Sequence, residues 1–259
     1  MLYASISIQC QFESILQSGT LCDVLNGTDG KRYGDVEQMS LATVDYPETE
    51  VSVRHVFHVP APNIEEETAY NSVKRIFDIA LSLLSLIVLL IPMFIISLII
   101  VIDSHGEPIF KQERLGLNGK PFTIYKFRSM HTDAEKDGPK WADPEDERCT
   151  RFGAFLRRTR LDELPQLWNI LIGDMSFVGP RPERACFYEE FEEYIIGFSN
   201  RMAVVPGLTG YAQVNGGYEL KPEEKIIYDM EYIEHRSVKM DIICILKTFK
   251  VVFSGNGAR

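Results

Sequence analysis

The chain has 259 residues, 45% hydrophobic and 25% charged, with a formal net charge of −10. That length accommodates one or two domains with a sizeable core, and the composition fits neither a disordered chain nor a polytopic membrane protein. The acidity excludes a globally basic nucleic-acid binder, so no nucleic acid is expected as partner.

The charge is uneven: residues 1–72 carry a net −8 and residues 73–259 a net −2. Five cysteines, at 10, 22, 149, 186 and 244, lie far apart without a C-x-x-C pair, and their odd number suits a reducing compartment. The first residues lack the basic n-region of a secretory signal.

Residues 1–70 read as a small β-rich module with a soluble look. ASISIQCQF and VSVRHVFHV alternate in strand fashion around a turn-rich NGTDGKRYG. The glycines there do not follow a strand in dinucleotide-fold order, so they read as a hairpin loop. His55 and His58 lack a second ligand pair and read as strand or loop residues. PAPNIEEETAYN is a linker into a helix.

Residues 79–102 form an uncharged apolar run bracketed by Asp78 and Asp103. As one straight helix it would extend about 36 Å, enough for a bilayer core of about 30 Å. Pro92 near its middle removes a backbone bond and kinks or breaks a helix. Basic residues flank both ends (Lys74 and Arg75 before, Lys111 and Arg114 after), so the positive-inside rule sets no orientation. From the run and its flanks alone, a spanning helix and a re-entrant hairpin stand equally.

Farther on, PIFKQERLGLNGKPFTIYKFRSM predicts two short strands joined at Asn118-Gly119. HTDAEKDGPKWADPEDERCT reads as a surface loop. FGAFLRRTRLDELPQLWNILIGDM and CFYEEFEEYIIGF read as helices, and VGPRPE as a turn between them. Helices are also expected from Pro222 to Ile233 and from Met240 to Phe253. The last is amphipathic, suited to a core or to a membrane surface.

The chemistry concentrates between Arg151 and Arg181. Arginines 151, 157, 158 and 160 precede the adjacent carboxylates Asp162 and Glu163, and Arg181 sits between two prolines. Guanidinium forks suit phosphate oxygens, and Leu-Asp-Glu-Leu-Pro has the pattern of a helix start that favours anions. Asp162 as a mere cap with surface ion pairs is the plain alternative. Adjacent carboxylates do not converge on one glycosidic bond, whereas a carboxylate nucleophile beside a metal-binding neighbour fits the pattern.

From about Lys74 to Phe253 the chain resembles the bacterial sugar transferase family, the monotopic phosphoglycosyl transferases. The residues that carry the resemblance are KRIFDI, FKQERLG, FTIYKFRSM, RFGAFLRRTRLDELPQLWNILIGDMSFVGPRPE and VVPGLTGYAQVNG, in that order. The resemblance implies a predominantly helical α+β catalytic domain over residues 71–259, with a re-entrant membrane helix kinked at Pro92, amphipathic interfacial helices and a short β-hairpin. Ile91 stands where some members have serine before the kink proline. The implied reaction passes a sugar-1-phosphate from a UDP-sugar to undecaprenyl phosphate at the cytoplasmic leaflet of the bacterial inner membrane. It starts a surface glycan such as exopolysaccharide, capsule or O-antigen.

Asp162 would be the nucleophile, forming a phosphosugar-aspartyl intermediate and expelling UMP. Glu163 would help bind Mg²⁺, with Asp162 and Glu163 as the metal-side pair. Arg157, Arg181, Arg201, Lys126 and Arg128 would contact phosphates. Pro206-Gly207 and Thr209-Gly210 would either shape a nucleotide loop or turn the chain. The sugar, the oligomeric state and any partners among other glycan-assembly proteins stay open.

Overall fold

A computed structural model describes residues 56–64, 68–134, 136, 146–216 and 220–254. The strands and turn expected before residue 56 lie outside the described residues, as does much of the loop expected after His131.

The described chain is mostly helical with three small two-stranded sheets. Strand β1 (Phe57–His58) precedes the long helix α1 (Thr68–Asp103), and a hairpin of β2 (Ile109–Leu115) and β3 (Pro121–Phe127) follows. Next come α2 (Arg151–Arg158), a 3₁₀ turn (Leu161–Glu163), α3 (Gln166–Ile172), β4 (Ser176–Val178), α4 (Ala185–Glu192) and β5 (Ile195–Ile196). After a second 3₁₀ segment (Phe198–Ala203) the chain ends with β6 (Gly207–Thr209), α5 (Tyr211–Asn215), α6 (Pro222–His235) and α7 (Val238–Ser254).

The hairpin forms where expected. Asn118 and Gly119 have φ of 54° and 73°, the left-handed geometry that these two residue types tolerate, and β2 pairs antiparallel with β3 from Ile109↔Phe127 to Leu115↔Pro121. The stretch from Phe152 to Met175 is not one helix. It breaks at Arg160, which adopts φ 59°, and resumes only after Pro165. The helix after Arg184 ends at Glu192; Ile195 and Ile196 instead pair in parallel with Phe57 and His58. Val59 joins the core beside Phe198, and Asn200 donates to its carbonyl at 3.0 Å. Phe57–Val59, within the stretch read as a 1–70 module, thus pair and pack with residues 195–200.

Helix α1 presents an unusual distribution. Its inward stripe starts polar, with Tyr70, Asp78 and Ser82 buried, and continues through Leu86, Leu89 and Met93 to Ile96 and Ile100. Its outward face exposes Leu83, Leu84, Ile87, Val88, Ile91 and Phe94, among others. An outward face this apolar, over an inward stripe that buries polar groups in its first turns, departs from the pattern of a water-facing helix. The helix continues on both sides of Pro92, and it is long and apolar enough to cross a membrane.

Both ends of α1 are tied to the same folded body. Near the start, Lys74 pairs with Asp241 at 2.8 Å, and Arg75 donates to the carbonyls of Ile170 and Leu171 at 2.7 Å each. Asp78 accepts from the Phe177 amide at 3.1 Å. At the far end Ile96 and Ile100 pack on Phe127 and Leu156. Helix α7 also exposes apolar residues, Ile242, Leu246 and Phe249, while Asp241 and Cys244 are buried.

Candidate active site

Local chemistry sets the turn that carries the two central carboxylates. Thr150 caps α2 by accepting from the Gly153 amide at 2.9 Å. Gly153 lies against β3's continuation so closely that a Cβ there would stand 1.9 Å from the Ser129 carbonyl oxygen. The chain then reverses at Arg160. A non-glycine residue in the left-handed region costs free energy, and such strain collects at functional sites. Asn169 of α3 fixes the turn to the hairpin: its amide accepts from Tyr125 N at 3.1 Å and donates to Thr123 O at 2.7 Å. That satisfies backbone groups of β3, an edge strand of the described hairpin.

Arg181 arrives from the other side. It follows β4, which pairs in parallel with β6 (Ser176↔Gly207, Val178↔Thr209). The two chains approach so closely that a Cβ on Gly207 would meet Gly179 N at 2.1 Å. The Pro206–Gly210 stretch is thus a strand that supports the Arg181 segment. Gly207 N donates to the Pro180 carbonyl at 2.9 Å, which anchors the proline-bracketed arginine directly.

These elements enclose a cavity of about 620 Å³ whose lining includes eleven Lys/Arg and five Asp/Glu residues. In a chain of net charge −10, this concentration of cations suits a polyanion. Glu163 is buried and accepts from Arg181 at 2.6 Å, with Lys126 at 4.0 Å. Burial alone would raise its carboxyl, but Arg181 and Lys126 win and hold it at about 2. Asp162 beside it behaves in the opposite way. Burial and then the Glu163 charge push it up to about 6, against Lys126, Arg181 and Arg157. Burial, reinforced by Arg181, pulls Lys126 down to about 8. The two adjacent carboxylates are therefore split: one is locked in ion pairs, and the other lies half-buried at the cavity.

The remaining expected residues divide by geometry. Arg157 lines the cavity, and its Nη1 donates to Cys149 Sγ at 3.1 Å. Arg128 borders the cavity too, but its guanidinium is given to the end of α1. It bonds to the carbonyls of His105 at 3.1 Å and Ser104 at 2.5 Å, and to Ser104 Oγ at 2.9 Å. It caps the helix, because the open carbonyls of a helix C-terminus attract a cation, and the expected phosphate contact has to compete with those carbonyls. Arg201 is only 1% exposed and pairs with Asp229 at 2.5 Å. It forms the buried underside of the cavity wall, where Asp229 and Glu183 are its charged partners.

Sequence reasoning missed Glu183, Arg114 and Lys225. Glu183 pairs with Arg114 at 3.2 Å, Lys225 at 3.3 Å and Arg201 at 4.0 Å. Burial opposes its ionisation, but Lys225, Arg114 and Arg201 hold its carboxyl at about 2. Arg114 was reachable from the hairpin register. Phe110 faces Lys126, and Arg114 lies two strand repeats along on the same side. Glu183 and Lys225 gave no local signal, because their partners are brought together only by the fold.

Asp162 and Glu163 also bear on a metal. No group of three His, Cys, Asp or Glu side chains suited to a metal ion occurs among the described residues. Mg²⁺ needs only one or two carboxylates when substrate phosphates supply the other oxygens, so this adjacent pair fits it.

A family model described as bacterial sugar transferase matches residues 69–255. A Bacillus subtilis (strain 168) protein, named provisionally as an undecaprenyl-phosphate N-acetylgalactosaminyl 1-phosphate transferase, is 51% identical over 54% of this chain and 78% of its own length. The UDP-N-acetylgalactosamine-undecaprenyl-phosphate N-acetylgalactosaminephosphotransferase of Aeromonas hydrophila is 35% identical over 81% of this chain and 50% of its own. The UDP-glucose:undecaprenyl-phosphate glucose-1-phosphate transferase of Escherichia coli (strain K12) is 42% identical over 68% and 39%. The chain thus spans half or less of the length of the last two relatives.

Proposed function

The chain belongs to the bacterial sugar transferase family, and from that premise we propose that it transfers a sugar-1-phosphate from a UDP-sugar to undecaprenyl phosphate. The observation that carries the reading is the split carboxylate pair in a strongly cationic cavity. An Asp162 oxygen attacks the β-phosphorus of the UDP-sugar. The bond from that phosphorus to the bridging oxygen breaks, and UMP leaves with the electron pair. An oxygen of undecaprenyl phosphate then attacks the same phosphorus and releases the Asp162 carboxylate. No proton need be removed from the first nucleophile, because a carboxyl near 6 is mostly ionised at neutral pH.

Glu163 keeps Arg181 and Lys126 in place, and both cations face charge that develops on the transferred group. Mg²⁺, held by Glu163 and Asp162, would supply neutralisation of the diphosphate. Arg157 gives a further guanidinium at the cavity. The product would start a surface glycan.

The membrane placement follows the same reading. The exposed apolar faces of α1 and α7, with Phe155, Trp168 and Ile172, suit a lipid surface. Attachment of both ends of α1 to one body supports a re-entrant rather than spanning helix; the same reading adds a bend at Pro92 in the membrane and a catalytic domain on the cytoplasmic face of the inner membrane.

The test is UMP release by the purified full chain in nanodiscs. It uses UDP-glucose, UDP-galactose and their N-acetylamino counterparts, with Mg²⁺ and undecaprenyl phosphate. Release with one sugar, absent in Asp162→Asn, supports the reading. No release from folded protein across the panel refutes it and favours the alternative reading, a catalytically silent membrane scaffold in a glycan-assembly complex.

A further inference from the structure

The cavity has two cationic groupings, and the reacting carboxylates use only one. Lys126 and Arg181 gather around Glu163. Arg114, Lys225 and Arg201 gather around Glu183. The backbone joins them: Leu115 N donates to the Glu183 carbonyl at 3.0 Å, and Arg114 Nη1 reaches the Pro182 carbonyl at 3.4 Å. Arg181, between Pro180 and Pro182, and Glu183, which follows Pro182, are two residues apart. The groupings are close enough for Arg114 to feel the charge of Arg181, and for Lys126 to feel that of Arg114.

Resting on the proposed reaction, we propose that Arg114 and Lys225, held by Glu183, form a second phosphate subsite that binds the α-phosphate of the UDP-sugar and then the phosphate of UMP. A diphosphate presents two adjacent anionic groups. The grouping beside Asp162 takes the phosphorus that reacts, and the neighbouring grouping takes the one that leaves. Glu183 is a positioning residue. One of its oxygens serves Arg114 and the other serves Lys225, and the charge it supplies offsets three crowded cations. Arg201 is itself neutralised by Asp229, so the wall keeps a net positive charge toward the ligand. The guanidinium Nε of Arg114 is buried and has no hydrogen-bond partner.

The test measures UMP binding to the full chain in nanodiscs by calorimetry, alongside the two half-reactions. Arg114→Gln and Lys225→Met are expected to weaken UMP at least tenfold and to slow the first half-reaction. Transfer from preformed phosphosugar-enzyme to undecaprenyl phosphate should stay within twofold of wild type. Glu183→Gln should weaken UMP similarly, with partial rescue by Glu183→Asp. Arg114→Gln keeps Glu183 paired with Lys225, so it stays informative if the Glu183 variants unfold. Unchanged UMP affinity in folded Arg114→Gln and Lys225→Met overturns the proposal. So does equal slowing of both half-reactions. Wild-type protein that binds UMP through these residues yet releases none from any UDP-sugar would refute the reaction and leave the subsite standing.

Discussion

Protonation of Asp162 should switch off the first half-reaction well above the usual carboxylate range. Its carboxyl lies near 6 rather than 3.8, chiefly from burial and then from the Glu163 charge. A group at 6 is about 91% ionised at pH 7 and about 9% at pH 5, whereas one at 3.8 is still about 94% ionised at pH 5. The single-turnover rate of UMP release at sub-saturating UDP-sugar should therefore fall about tenfold between pH 7 and pH 5. Glu163→Gln removes a like charge, so the acid limb of its residual activity should move to lower pH. Lys126, near 8, should give a decline on the alkaline side as its ammonium is lost. Rapid quench across pH 5–9 in constant ionic strength measures all three. A rate independent of pH from 5 to 7, or an acid limb that moves upward in Glu163→Gln, would show that ionisation of Asp162 does not gate UMP release.

Other outcomes follow from the packing. Gly153→Ala places a Cβ 1.9 Å from the Ser129 carbonyl, so α2 must shift; thermal denaturation should show a loss of at least about 2 kcal/mol, with activity reduced at all temperatures. Asp229→Asn strands the buried Arg201 charge and should cost about 3–5 kcal/mol in denaturant unfolding, which Arg201→Met in the same chain should partly restore. Arg128→Gln uncaps α1 and should lower stability by about 1.5–3 kcal/mol while leaving UMP affinity within twofold. Single cysteines placed near residues 72 and 108, in a cysteine-free background, should both be labelled from the cytoplasmic side. Labelling from opposite sides would contradict the re-entrant arrangement.

Much of the site was legible because its chemistry is local. Asp162, Glu163 and Arg181 stand in a dense run of charge, proline and glycine, and the hairpin was announced by Asn118-Gly119. Apolar spacing continues on both sides of Arg160, because periodicity does not register a single left-handed residue, although Leu-Asp-Glu-Leu-Pro already marked a helix start just beyond it. Ile195 followed a helical pattern, yet pairing with β1, more than a hundred residues away in sequence, decided its conformation. Arg128 reads as a phosphate ligand from its neighbours, but the open carbonyls of α1 compete for it, and only the fold brings them near. The same holds for Glu183, Arg201 and Asp229, whose meaning lies in long-range ion pairs. The final helix showed its apolar stripe plainly, and only the structure tells that the stripe faces outward.

Whether Asp162 carries the phosphosugar is read from intact mass spectrometry of the protein after incubation with its UDP-sugar and Mg²⁺, without lipid acceptor. A mass increase equal to one phosphosugar is predicted, mapped to the peptide holding Asp162, discharged by undecaprenyl phosphate and absent in Asp162→Asn. UMP released with no adduct at any time point, or an adduct that persists in Asp162→Asn, would contradict it.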